Sequence, residues 1–68
     1  MKVLKNKTDV LRDFAKRVPN AETMAIDYGR DTLTVFFDGI HSQEYKASEI
    51  IKKFENGAAS QGVTVIWE

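Results

Sequence analysis

The chain has 68 residues, no cysteine and a net charge of zero from ten basic and ten acidic side chains. This length forms one small domain over residues 1–68, and the lack of cysteine excludes disulfides, thiolate metal sites and thiol catalysis. No apolar run approaches the roughly 20 residues that cross a bilayer, and the N-terminal MKVLKNKTD lacks the apolar core of a signal peptide, so we expect a soluble, cytoplasmic protein with no membrane partner.

The first predicted element is a helix over residues 8–18, TDVLRDFAKRV. Its apolar residues fall on one stripe at helical spacing. Thr8 is the predicted N-cap, and Pro19 ends the helix because it disfavours helical dihedrals at the preceding residue. Upstream, Val3 and Leu4 are compatible with either a short strand or a tucked arm.

Two segments of alternating apolar and polar residues follow, ETMAIDY and TLTVFF, and both predict strands. The loop Gly29-Arg30 between them places glycine first, as a type II′ turn requires. This turn pairs Ile26 with Leu33 and Met24 with Val35.

A second turn signal, Asp38-Gly39, predicts a two-residue type I′ hairpin. It leads into IHSQEY, whose polar character is typical of an edge strand. The predicted register pairs Phe37 with Ile40 and Phe36 with His41.

The period changes to helical from Ser48, which is the predicted cap of a second helix. Its apolar stripe is Ile50, Ile51, Phe54 and Ala58. The helix ends either at Asn56-Gly57 or at Gly62 as the C′ residue. The closing segment VTVIWE predicts a strand that lies beside either the third or the first strand of the meander.

The order α-β-β-β-α-β predicts a two-layer α+β fold, in which two helices pack on one face of a three-stranded antiparallel meander plus a C-terminal strand. Strand alternation assigns Met24, Ile26, Leu33, Val35, Phe37 and Ile40 to the covered face. The open face receives Phe36, His41 and Tyr45, with Asp27, Gln43 and Ile66 around them.

Catalysis finds little support in the residue types. The single histidine, His41, is followed by Ser42, and neighbours on a strand point to opposite faces, so they form no nucleophile–base pair. No spacing resembles a calcium loop or a phosphate loop. We also expect little room for a pocket of several hundred cubic ångströms. The expectation is a protein that is not an enzyme and has no metal or cofactor.

The charges are unevenly distributed along the chain. Residues 1–18 carry six basic and two acidic side chains, whereas residues 19–68 carry four basic and eight acidic ones. Either this asymmetry guides a partner, or the two halves simply solvate the surface and attract each other. A candidate patch for nucleic acid or an acidic partner consists of Lys5, Lys7, Arg12, Lys16 and Arg17.

The α-β-β-β-α portion is similar in element order to double-stranded-RNA-binding domains. The lysine cluster that such domains carry at the start of the last helix has no counterpart in KASEIIKK. TLTVFF likewise lacks the glycine and basic residues of an RNA-recognition signature. The resemblance is therefore one of element order alone.

We expect a small protein-binding module that acts through its exposed aromatic sheet face. The partner is another protein or a second copy of the chain. The alternative is a nucleic-acid-binding domain that uses the basic first helix. In a third possibility, Val3 and Leu4 of the N-terminal arm cover Phe36, and the face is not open. Short, cysteine-free chains with charged halves are common among phage and mobile-element accessory proteins, including inhibitors of host complexes.

Overall fold

Seven elements follow one another along the chain in the computed structural model, which describes all residues 1–68. They are β1 (Lys2–Lys5), α1 (Lys7–Lys16), β2 (Thr23–Asp27), β3 (Thr32–Phe36), β4 (Ser42–Lys46), α2 (Ala47–Ser60) and β5 (Thr64–Trp67). The strands β2, β3 and β4 form an antiparallel sheet in that order. The predicted α+β class and the order α-β-β-β-α-β are confirmed, with β1 as an additional strand at the start. Neither helix has the length and apolar character needed to cross a membrane.

The last strand lies in neither of the two predicted positions. β5 pairs in parallel with β1 and forms a separate two-stranded sheet, which we call the terminal ribbon. Val3 and Leu4 are thereby fixed in a strand, opposite Val65 and Ile66. Val3, Val65 and Trp67 are half-buried on the inner face, whereas Leu4 and Ile66 point outward with 64% and 43% of their surface exposed.

The core lies between the three-stranded sheet and the two helices, as predicted. Leu33 and Val35 on β3 and Leu11 on α1 have no exposed surface. Burying a leucine or valine side chain contributes about 1.5–3 kcal/mol. The remaining buried residues are Val10, Ala15, Ala47 and Ile51. With only seven buried residues in the chain, stability rests on a small set of contacts.

Helix α1 is capped by Asn6, so the prediction of Thr8 as the N-cap is wrong. The Asn6 Oδ1 accepts hydrogen bonds from the backbone N–H groups of Thr8 (2.8 Å) and Asp9 (3.4 Å). The Thr8 hydroxyl instead forms a hydrogen bond of 2.6 Å with the Tyr28 hydroxyl. The helix ends at Lys16, two residues earlier than predicted, because Pro19 restricts the residue before it.

The first hairpin has the predicted register but a different turn. Ile26 pairs with Leu33 and Met24 with Val35, which confirms the pairing. The positive φ of the turn lies at Asp31 (56°) and not at Gly29, so the turn is not type II′.

The second hairpin differs from the predicted register by one residue. The loop contains three residues, 38–40, because the Phe37 N–H donates to the His41 carbonyl (2.9 Å), and Phe36 pairs with Ser42. A one-residue slip moves every side chain of the strand to the other face. β4 is an edge strand, as predicted. Ile40, which we expected in the core, is 86% exposed at the tip of the loop.

The N-terminus of helix α2 is capped by a residue that is remote in the sequence, and the prediction of Ser48 as its cap is wrong. Lys46 occupies the N-cap position without a side-chain hydrogen bond. The Asp31 carboxylate accepts from the Ser48 N–H (2.9 Å) and hydroxyl (2.6 Å), and the Asp31 carbonyl accepts from the Ala47 N–H (3.1 Å). The helix continues through Gly57, and Gly62 follows it with a φ of 77°, as the longer of the two predicted endings requires.

Replacing Asp31 should therefore destabilise the chain more than an exposed turn aspartate normally does. We expect Asp31→Gly, which tolerates the positive φ, to lower the free energy of unfolding by about 1–2 kcal/mol through loss of the cap. Asp31→Ala should lower it further, because alanine also resists the left-handed conformation. Chemical denaturation of both variants measures this, and equal stability of Asp31→Gly and the parent chain would show that the cap contributes nothing.

Candidate functional site

The aromatic side chain at the centre of the predicted surface lies where strand alternation places it. Phe36 is on the sheet face opposite Val35 and is half-buried, whereas Phe37 packs against the core. Its cross-strand neighbours are Thr23 and Ser42. Phe36 is thus a single aromatic ring among small polar residues.

The second predicted aromatic, Tyr45, lies on the other side of the sheet. The observed register places it opposite Leu33, and it places Gln43 opposite Val35, so both residues share the helix-covered face. The Tyr45 ring meets the Phe14 ring edge-on, with 5.0 Å between centroids and an interplanar angle of 77°. Its hydroxyl donates to Gln43 Oε1 (3.1 Å). The prediction that Tyr45 and Gln43 join Phe36 on one face is wrong.

The remaining predicted residues are also dispersed. Asp27 is on the open face, where its Oδ1 accepts from the Arg30 N–H (3.1 Å). Ile66 is on the terminal ribbon, and His41 is at the end of the loop. The alternative in which Val3 and Leu4 cover Phe36 is wrong, because both pair with β5.

The loop between β3 and β4 is organised by one carboxylate. Asp38 Oδ1 accepts from the backbone N–H groups of His41 (2.7 Å) and Ile40 (3.0 Å), and Oδ2 lies 2.8 Å from the His41 ring Nδ1. These hydrogen bonds, led by the one from the His41 backbone, hold the pKa of Asp38 below its usual value. Asp38 and His41 therefore have a structural partnership that sets the length of the loop.

A groove lies between the helices and the terminal ribbon, and we call it the helix–ribbon groove. Its volume is about 650 Å³, so the expectation of little room for a pocket of several hundred cubic ångströms is wrong. Side chains of α2 and α1 form the floor, and the inner face of the ribbon forms the wall. The apolar lining includes Val3, Phe14, Tyr45, Ile50, Phe54, Ala58 and Val65.

The rim of the groove is charged and mostly basic. Lys5, Arg17 and Lys53 line it together with a single acid, Glu49. The Lys5 Nζ lies 6.0 Å from the centroid of the Phe54 ring, within the range of a cation–π contact. The groove thus combines an apolar floor with a positive border.

Gly57 lies in the floor of the groove, in the interior of α2. A Cβ built at this position meets no atom within 4 Å, and its φ is not in the left-handed region. Neither packing nor backbone conformation requires glycine here. Its effect is an open stretch of helix surface at the floor.

The predicted basic patch is interleaved with acids. Arg12 pairs with Asp9 across 3.2 Å, and the Arg17 Nε donates to the Asp13 carbonyl (3.4 Å). The Lys7 Nζ lies 6.0 Å from the Trp67 ring centroid, at the ribbon. A cleft of about 460 Å³ beside α1 mixes both signs: it is lined by Lys5, Arg12 and Lys16 together with Asp9, Asp13 and Glu68.

The helix–ribbon groove contains few ionisable groups that could act in catalysis. Glu49 is its only carboxylate, and His41 lies outside it. No group of three histidine, cysteine, aspartate or glutamate side chains is arranged to hold a metal ion. Sequence reasoning missed the groove because its wall is the ribbon, and the only local signal for β1 was the pair Val3-Leu4.

Comparison with protein-family models found no matching family, and comparisons with curated proteins and with solved structures found no match.

The lowered pKa of Asp38 predicts how the loop responds to acid. Because the folded pKa is lowered, the ionised form holds the loop. Its stabilisation is complete above pH about 4 and is lost as the pH falls through the lowered pKa. In an NMR titration we expect the amide signals of Ile40 and His41 to share a step below pH about 4. Asp38→Asn should abolish this step, and a midpoint at or above that of an ordinary aspartate contradicts the account.

Gly57→Ala should stabilise the fold. Alanine fits without a clash and reduces the conformational entropy of the unfolded chain, so we expect the free energy of unfolding to rise by about 0.5–1 kcal/mol. Chemical denaturation measures the change, with Gly39→Ala as the contrasting variant, because Gly39 has a φ of 81° and should lose stability. A destabilised Gly57→Ala would mean that the floor of the groove is tighter than described.

Proposed function

We propose that this protein is a non-enzymatic protein-binding module that holds an apolar segment of another protein in the helix–ribbon groove. The observation that carries the proposal is the half-buried state of the groove lining. Ile50 and Phe54 pack against the core on one side and line the groove on the other, and Val65 lines it from the ribbon, so all three are half-buried. Burying such side chains under a partner is the main favourable term in association.

The shape of the groove favours a helical segment as the occupant. Its floor follows one stripe of α2, from Ile50 through Phe54 to Ala58, and so extends along about two turns of that helix. Gly57 removes a side chain beside this stripe and lets a second backbone approach. An amphipathic helix lays its apolar face into grooves of this kind.

The charge of the groove rim indicates which polar residues the bound helix should carry beside its apolar face. Three basic side chains and one acidic side chain border the groove, so a segment with aspartate or glutamate beside its apolar face is complementary. The expected partner is therefore an acidic amphipathic helix. Tyr45, which we assigned to a binding surface from the sequence, takes part from the end of the groove.

The nucleic-acid alternative receives less support. Phosphate binding needs clustered lysine and arginine that are free of acids. Asp9 and Asp13 lie among the basic residues of α1, and the open sheet face offers only Phe36 for stacking.

A peptide-display selection against the immobilised protein tests the proposal. We expect enriched peptides to carry apolar residues at spacings of three, four and seven, next to acidic residues. Gly57→Trp places a large side chain in the groove and should abolish binding of a selected peptide. Asn56→Trp is the matched control, because the neighbouring residue is exposed and does not line the groove.

The results of this experiment distinguish binding in the helix–ribbon groove from binding on the open sheet face. Binding that survives Gly57→Trp but is lost in Phe36→Ala places the site on the open sheet face and overturns the groove. Enriched peptides without helical periodicity overturn the helical occupant. If no peptide is enriched but small hydrophobic compounds still displace an apolar dye from the groove, the groove is a small-molecule site instead.

A further inference from the structure

We propose that two copies of this chain associate through the free edge of β5. Antiparallel pairing of the two β5 strands across a two-fold axis joins two terminal ribbons into a four-stranded sheet in the order β1-β5-β5-β1. This surface is the edge and outer face of the ribbon, so the inference is independent of the occupant of the helix–ribbon groove.

The ribbon by itself is an incomplete sheet. It consists of two parallel strands of four residues each, and neither pairs with the three-stranded sheet. Two-stranded sheets are marginal in water, and parallel strands normally have both faces covered. Here Val3 and Val65 occupy one face, while Leu4 and Ile66 remain exposed on the other.

The backbone of β5 has hydrogen-bonding groups available for a further strand. The Thr64 N–H donates to the Met1 carbonyl (2.8 Å) and the Glu68 N–H to the Lys5 carbonyl (2.9 Å). Because alternate residues of a parallel strand bond to the same neighbour, Val65 and Trp67 direct their N–H and C=O groups to the free edge. Two such residues in each copy form an antiparallel ladder.

The side chains distinguish this edge from the edge of β1. Lysines at Lys2 and Lys5 flank β1, and lysine is a residue that discourages edge pairing. The β5 sequence TVIW is uncharged and consists of β-branched and aromatic residues, which favour strand pairing. The pairing edge is therefore that of β5.

The exposed area of the chain agrees with a missing partner. The chain exposes 4996 Å², whereas a folded monomer of 7.7 kDa exposes about 4,300 Å². Its radius of gyration is 12.9 Å, against about 11 Å for a compact domain of this length. This excess of roughly 700 Å² belongs to the whole molecule, the helix–ribbon groove included, and pairing of two β5 edges covers a part of it.

The charge distribution is complementary between two copies in this orientation. The basic N-terminal segment and the acidic remainder of a neutral chain attract their counterparts in a second copy. Antiparallel pairing brings Glu68 of one copy to the end of the ribbon where Lys2 of the other copy begins. The exposed Leu4 and Ile66 of both copies then lie on one continuous face.

Backbone N-methylation of a chemically synthesised chain tests the proposal without changing a side chain. Sedimentation equilibrium from micromolar to millimolar concentration should show the parent chain passing from monomer to dimer. N-methylation of Val65 removes an edge donor in each copy and should weaken the dimer by at least about tenfold. N-methylation of Leu4, at the free edge of β1, is the matched control and should leave the dimer intact.

Hydrogen exchange gives a second readout on the unmodified chain. The amide protons of Val65 and Trp67 should become protected as the concentration rises, whereas that of Leu4 should not. A chain that stays monomeric at millimolar concentration overturns the proposal, as does a dimer sensitive to N-methyl Leu4 but not to N-methyl Val65. If Gly57→Trp abolishes the dimer and the N-methylated chains retain it, the second copy of the chain occupies the helix–ribbon groove. N-methylation of Trp67 removes the other edge donor, and Trp67 does not line the groove. Peptide binding by that monomer therefore distinguishes a failure of this inference from a failure of the groove.

Discussion

Two short helices have to cover two separate sheets, and this constraint shapes the whole molecule. The buried sides of α1 and α2 are used on the three-stranded sheet, where Leu33 and Val35 lose all exposed surface. The terminal ribbon packs chiefly against α2, where the Trp67 and Phe54 rings lie 6.0 Å apart. The helix–ribbon groove is the space that remains, and Ile50 is half-buried because no third helix closes it. The groove and the exposed ribbon therefore have a common origin in how little apolar surface this chain can cover.

Local patterns were sufficient for the elements whose partners lie nearby in the chain. The short turn between β2 and β3, residues 28–31, fixed their register, and Gly62 correctly marked one of the two predicted ends of α2. The second hairpin was predicted one residue out of register because Asp-Gly also suits other turns. The Asp38 carboxylate binds two N–H groups beyond it and stabilises a longer loop. This one-residue difference in register moves every side chain of β4 to the opposite face of the sheet. Tyr45 therefore lies on the helix-covered face, whereas Phe36 on β3 is on the open face, as predicted.

The contacts between distant parts of the chain left no local signal. β1 pairs Val3 with Val65, and no periodicity within four residues specifies such a partner. The cap of α2 is equally remote, since Asp31 lies 17 residues before Ser48. Both ends of the chain and the first turn look unremarkable when each is read alone. The groove depends on the ribbon, so the candidate site could not be predicted even though most of its lining was assigned to helices and strands.

Gly57 connects stability with binding. A helix interior prefers alanine at such a position, and the structure has space for it, so glycine lowers stability without relieving any clash or strain. In a domain with seven buried residues, a loss of up to about 1 kcal/mol is a substantial share of the total stability. Under the proposed function, a partner that binds only the folded chain at the groove would restore this stability by mass action. The folded population would then depend on the concentration of that partner as well as on the core.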